Sequence, residues 1–365
     1  MPISAVDAIS PAFDHTQKQL VRPFKASQWA KLGFVGLLAG EMGSGAGGGC
    51  SPGSFQMPHP NHTQRLLDTG FPSITPMLTA SLIAVLVVAG FVLLVLFLYV
   101  NSVMRFVLFD SVVAKDCRIW QSWVRRQGPG QRFFVWQVLL GLGSMMGLTI
   151  LVGIPAGFAF LVGWLRDPKE HVIPLVLGGM ALFFVLFVFI VSLLLIHVLT
   201  KDFVVPQMAL EEIGAFEGWR RLWPRIKDEK LGYAAYVGMK IVLAIGAAIV
   251  LGIVSAIVFL LFLIPIGGLG AVAVIGGMAA GLTWNLYTIT LAVVLGSIAI
   301  FSLLYLMSLV SVPAVVFFPA YSIHFFASRY PALDALIHPA PPAVLPPPDS
   351  PPPDPPPLLP TPEPI

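Results

Sequence analysis

Charged residues are absent from long stretches of the chain, and those gaps set the first expectation. None occurs between Asp68 and Arg105, between Arg132 and Arg166, or between Glu170 and Lys201. After Lys240 the next is Arg329. A helix crosses a hydrocarbon core about 30 Å thick with about 20 apolar residues, and a charge inside it is costly. The pattern therefore predicts spanning helices over residues 74–103, 133–165, 172–200, 233–264 and 285–317. The segment 29–42 is apolar but short and carries Lys31 and Glu41. Counted as a first span, it makes six. The glycine-rich stretch 266–281 is then a connection rather than a seventh.

Six spans place nearly all the basic residues on one face, as the positive-inside rule requires. Both termini are then cytoplasmic, and the protein is expected as a multi-pass component of the plasma (inner) membrane. Cys50 and Cys117 fall on opposite faces and do not pair. No signal peptide is expected, since a long polar segment precedes the first apolar run.

The spans fall into three pseudo-repeated hairpins. Each outward span opens on an aromatic residue in a similar setting: Trp29, Trp136 and Tyr236. Returning spans end in related motifs, Arg105-Phe-Val-Leu-Phe-Asp110, Asp202-Phe-Val-Val-Pro206 and Ser311-Val-Pro-Ala-Val-Val-Phe317. An amphipathic segment follows each. Its expected apolar face is Val113, Cys117, Trp120 and Val124 in the first repeat. In the second it is Ala209, Ile213, Phe216, Trp219 and Trp223, and in the third Phe318, Tyr321 and Phe325. Val6, Ile9, Phe13, Leu20 and Phe24 give the N-terminus the same period. Helices of this kind lie in the headgroup plane on the cytoplasmic side. The fold class is thus all-α, a polytopic transmembrane helical bundle over residues 1–338. Residues 339–365 are a proline-rich tail, too poor in apolar surface to fold.

Composition agrees. The chain is 57% hydrophobic and 11% charged, with mean hydropathy +0.86. An average soluble domain is about 45–50% apolar and about 25% charged. That excludes a soluble enzyme, a disordered chain and, with no polar–apolar alternation, an outer-membrane barrel. A net charge of +3 gives no case for nucleic acid.

Asp202-Phe-Val-Val-Pro206, with Ala209-Leu-Glu-Glu-Ile-Gly-Ala-Phe-Glu-Gly-Trp-Arg-Arg221, resembles the signature of bacterial six-span membrane proteins. These include the membrane domain attached to some glycerophosphoryl diester phosphodiesterases and related families of unknown function. Arg22-Pro-Phe-Lys25 with Trp29 is similar to one of the uncharacterised families. The resemblance covers about residues 5–335 and implies the architecture. The phosphodiesterases' catalytic domain has no counterpart here, so it implies no catalysis.

Candidate chemistry is thin. His59 and His62 have a spacing seen in metal sites but stand without the further ligands a site needs. Gly43–Gly49 follows no strand and lacks the Lys-Ser/Thr of a phosphate loop. No nucleophile elbow or zincin motif occurs. We expect no enzyme, no catalytic residue, no metal and no cofactor. Gly143/Gly147, Gly153/Gly157 and Gly277/Gly281 suit close helix packing within one chain, or a homo-oligomer through GxxxG faces.

The remaining candidates gather at the expected cytoplasmic boundary: Arg105, Asp110, Arg125, Arg126, Asp202, Glu211, Glu212, Trp219, Arg220 and Arg221. They either anchor span ends by pairing with one another or meet anionic lipid headgroups. The expected function is non-enzymatic, organising or sensing the cytoplasmic leaflet or a partner, with lipids as the ligands. The alternative is a transporter or exporter of a lipid or small solute.

Overall fold

The computed structural model describes residues 3–41, 76–165, 167–281 and 286–338. Cys50, His59, His62, Gly43–Gly49 and the proline-rich tail lie outside them. The described residues are helical, with no strand among them. Two short helices, α1 (Ile9–Leu20) and α2 (Ala26–Leu38), precede α3 (Pro76–Ala114), α4 (Ile119–Leu161) and α5 (Val172–Leu199). A π-helical turn, Thr200–Val204, leads into α6 (Val205–Glu211), followed by α7 (Ala215–Asp228). The long α8 (Lys230–Ala279) and α9 (Leu286–Ala327) come next, then the short α10 (Pro331–Ile337).

Five helices, α3, α4, α5, α8 and α9, are long and apolar enough to cross a membrane. Each is apolar all round over much of its length, a composition that lipid rather than a partner helix solvates. The five most apolar windows are accordingly 0–6% buried within the protein. All the buried residues fall instead in 5–41, 101–133, 199–240 and 308–333. The molecule thus has apolar shafts joined at one end by a packed cap. Both described chain ends meet in the cap. Arg329 donates to the Ile3 carbonyl (3.1 Å) and Tyr321 to that of Ala5 (3.0 Å).

Three features of the helices bear on the expected spans and packing faces. The segment 29–42 is not among the five long helices. With 13 residues, α2 is about 20 Å long. It belongs to the cap because Gly33 and Gly36 let it press onto α9. A Cβ at Gly36 would stand 2.8 Å from Val315. Gly40, at φ +71°, then ends the helix in the left-handed conformation that glycine adopts without penalty. Second, residues 266–279 are not a loose connection: α8 runs unbroken past Pro265. A proline removes one donor, and the apolar residues beyond it keep the helix going until Gly281, also left-handed at φ +79°. Third, Gly143, Gly153 and Gly157 face open space. Of the four glycines expected to pack in α4, only Gly147 meets a neighbouring helix, at Phe189.

The expected apolar faces divide between the interior and the surface. Lys115 takes a left-handed φ of 54° between α3 and α4. That break splits the first apolar stripe: Cys117 is buried while Trp120 is 80% exposed. In α1 the buried residues are Ala12, His15, Gln19 and Leu20, and Phe13 points away. In α7 they are Ala215, Gly218 and Leu222, leaving Phe216 (66%) and Trp223 (53%) exposed. Where α7 approaches its neighbour closely it presents a small residue, as Gly218 shows against Val204. The large aromatic side chains Phe13, Phe216 and Trp223 are left on the outside of α1 and α7. Only the third face, Phe318, Tyr321 and Phe325, is buried as a whole.

Candidate functional site

The π turn after α5 organises the middle of the cap. Adjacent residues on an α-helix point about 100° apart, and an i→i+5 turn inserts an extra residue that reorients them. Lys201 and Asp202 thereby both find partners inside the cap. Lys201 pairs with Glu41, placed by the glycine cap of α2. Asp202 accepts from Lys240 and from the Tyr236 hydroxyl (3.0 Å), both on α8. Between the two pairs lies Arg105 of α3, 7% exposed. Its guanidinium sits 5.4 Å from the centre of the Phe133 ring, and Nη2 lies 3.5 Å from the Ala39 carbonyl. Nε and Nη1 are buried with no hydrogen-bond partner. A cavity of about 30 Å³ opens here, lined by Glu41, Arg105, Lys201, Asp202, Pro319 and Ser322 among others.

A second layer of ion pairs closes the end of the cap. Asp110 receives a two-pronged pair from Arg126, at 2.8 and 2.6 Å. Arg126 also donates to the Ala209 carbonyl, tying α3 and α4 to α6. Glu212, left-handed at φ 55°, ends α6 and offers its carbonyl to Arg132. Glu211 holds both Arg221 and the Tyr330 hydroxyl. Burial, and then that bond, push the Tyr330 phenol above its ordinary range. Arg329 clasps Glu229 at 2.7 and 2.6 Å, and its donation holds the Glu229 carboxyl below the usual carboxylate range.

Of the ten residues the sequence singled out, Arg105, Arg126 and Asp202 are therefore buried, and Asp110 is held against Arg126. Trp219 is half-buried and donates to the Thr200 hydroxyl (3.0 Å). Glu211, Glu212 and Arg221 are exposed but engaged within the chain. Arg220 is bound only to its own helix, at Glu217 (2.8 Å). Arg125 is exposed and lines a cavity of about 400 Å³ together with Arg118, Gln121 and Ser122. Sequence reasoning passed over Glu41, Tyr236 and Lys240 as members of the buried cluster. The available signal was Lys240 itself, an ammonium with apolar residues for many positions after it. Among the described residues no group of three or more His, Cys, Asp and Glu could hold a metal ion.

The sequence signature of DUF7544, a family of unknown function, matches residues 3–336. The chain belongs to that family. The matched region takes in all five shafts and nearly all of the described cap. No curated protein and no solved structure matches the chain.

Proposed function

We propose that the protein is a non-enzymatic integral membrane protein that binds and organises anionic lipid at the headgroup level, with its basic cap on the cytoplasmic side. One observation carries this reading. The cap's surface helices turn large apolar residues outward, Phe13 on α1, Trp120 at the start of α4, and Phe216 and Trp223 on α7. Beside them stand the exposed cations Arg118, Arg125 and Arg220. Aromatic rings with basic neighbours on a helix surface suit the boundary between headgroups and acyl chains. The positive-inside rule then assigns the cap, with both described chain ends, to the cytoplasm. A second reading, transport of a lipid or small solute, rests on the buried ion cluster. A flux assay in proteoliposomes separates the two.

The test uses the triple variant Arg118→Gln, Arg125→Gln, Arg220→Gln. A basic side chain near an anionic surface contributes about 1 kcal/mol. Three should therefore change anionic-lipid preference by up to about a hundredfold. Native mass spectrometry comparing anionic with zwitterionic lipid reads the change. Arg126→Gln is not a suitable variant, because that side chain is locked to Asp110. Wild-type preference in the triple variant would refute the reading.

A further inference from the structure

Two of the three cations in the buried cluster have carboxylate partners, Lys201 with Glu41 and Lys240 with Asp202. Among the described residues Arg105 has none within salt-bridge distance. Its charge is the excess of the cluster, since guanidinium does not deprotonate in proteins. Two of its nitrogens are buried without acceptors, although a buried donor is normally satisfied. The face of Phe133 covers one side of the group and supplies no acceptor for those N–H groups.

We propose that the cavity beside Arg105 is a binding site for a small monovalent anion of the halide class. Three features select that ligand. The sign follows from the unmatched guanidinium, which disfavours a cation. The size follows from the volume. About 30 Å³ admits one or two water-sized bodies and is too small to enclose a phosphate or a lipid headgroup. The donors are the side chains of Arg105 and Lys201, both of which line the cavity. Glu41 and Asp202 also line the cavity, but each is already engaged, by Lys201 and by Lys240 with Tyr236. Counted over Arg105, Lys201, Lys240, Glu41 and Asp202, the cluster with one bound monoanion is neutral. The bound ion then couples the segment after α2, α3, the π turn, α6 and α9, so its binding stabilises the cap as a unit.

The probes are chloride and bromide, with gluconate as an anion too large to enter. The full chain, purified in a neutral detergent, is melted at constant pH and ionic strength as gluconate is replaced by either halide. The expected result is a saturable rise in Tm on the order of a few degrees with both halides. The rise should vanish in Arg105→Gln and persist in Lys169→Gln, whose side chain lies exposed in the α4–α5 turn. Should Arg105→Gln fail to fold, anomalous diffraction from bromide-soaked wild-type crystals decides, with a peak expected beside Arg105. Equal Tm in all three salts, a halide response retained without Arg105, or a cavity holding water only would each overturn the proposal.

Discussion

The shafts and the cap solve the same problem, how to satisfy a helix, in opposite ways. Along the shafts α3, α5 and α8 show apolar side chains in every direction and need few protein partners, because lipid solvates them as well as a neighbouring helix would. The cap is the only part with a packed interior among the described residues, and that interior is threaded with charge. Aromatic stacking fills the space between the ion pairs: Phe203 lies against Tyr236, Phe325 and Phe326, and Tyr236 stacks on Tyr321 at 5.1 Å. Hydropathy thus marks where the chain meets lipid, whereas tertiary structure is decided where hydropathy is mixed. Mutations should consequently act unequally on the two regions.

The largest difference is expected at Asp202. Removing one partner of a buried ion pair costs about 3–5 kcal/mol, since the other charge is left behind. Asp202→Ala should lower Tm strongly, and Lys240→Met added to it should recover part of the loss. The shaft counterpart, Phe183→Ala, removes a ring that is 70% exposed and should stay within about 0.5 kcal/mol in detergent. Comparable losses from the two single variants would abolish the distinction.

A smaller effect tests close approach. The ideal Cβ of Gly36 falls against the backbone-proximal part of Val315, so the neighbour has little room to yield. Gly36→Val should cost about 1–3 kcal/mol, the usual range for overpacking. Thermal unfolding should show it, and a neutral result would mean that α2 is not seated on α9.

These residues also show what the sequence discloses and what it conceals. The five shafts are legible because each is an uncharged run longer than a bilayer is thick. Boundary charges such as Arg105, Asp110 and Asp202 are legible because they interrupt or end those runs. Their partners are not, because pairing across 160 residues, as between Glu41 and Lys201, leaves no local mark. Periodicity on the surface helices leaves open what the apolar stripe faces. It identifies the most apolar stripe, and in a membrane protein that stripe can face lipid as readily as the interior. Thus α1 packs on Ala8, Ala12 and His15 instead of Phe13.

His15 makes that inward polar face sensitive to pH. It lies between α3 and α9, with Nε2 2.8 Å from the Val112 carbonyl and its ring 5.5 Å from that of His324. Burial lowers its pKa from 6.5, opposed by the Val112 bond and reinforced by Lys115 and Lys18. A folded-state pKa below the unfolded value means that the neutral form is favoured on folding. The contribution is complete above pH 6.5 and is lost as pH falls through the folded value. The Tm should therefore decline on acidification below that point, and His15→Gln, which can still donate to Val112, should flatten the decline. An unchanged profile would show that α1 does not depend on a neutral His15.

The smallest effect belongs to the glycines of α4. Gly153 and Gly157 lie in an exposed shaft, and a Cβ added at either has nothing within 4 Å, so alanine meets no clash from this chain. Alanine also restricts the unfolded chain, which stabilises a helix by about 0.4–1 kcal/mol per site where the backbone is compatible. Both residues sit in regular helix, and Gly153→Ala with Gly157→Ala should raise Tm slightly or leave it unchanged. The opposite outcome carries information about assembly. A loss of stability, accompanied by a shift to lower mass in native mass spectrometry, would mean that a second copy packs against this face, where small residues allow close approach. The shafts would then have a protein partner after all, and their contrast with the cap would hold for the monomer alone.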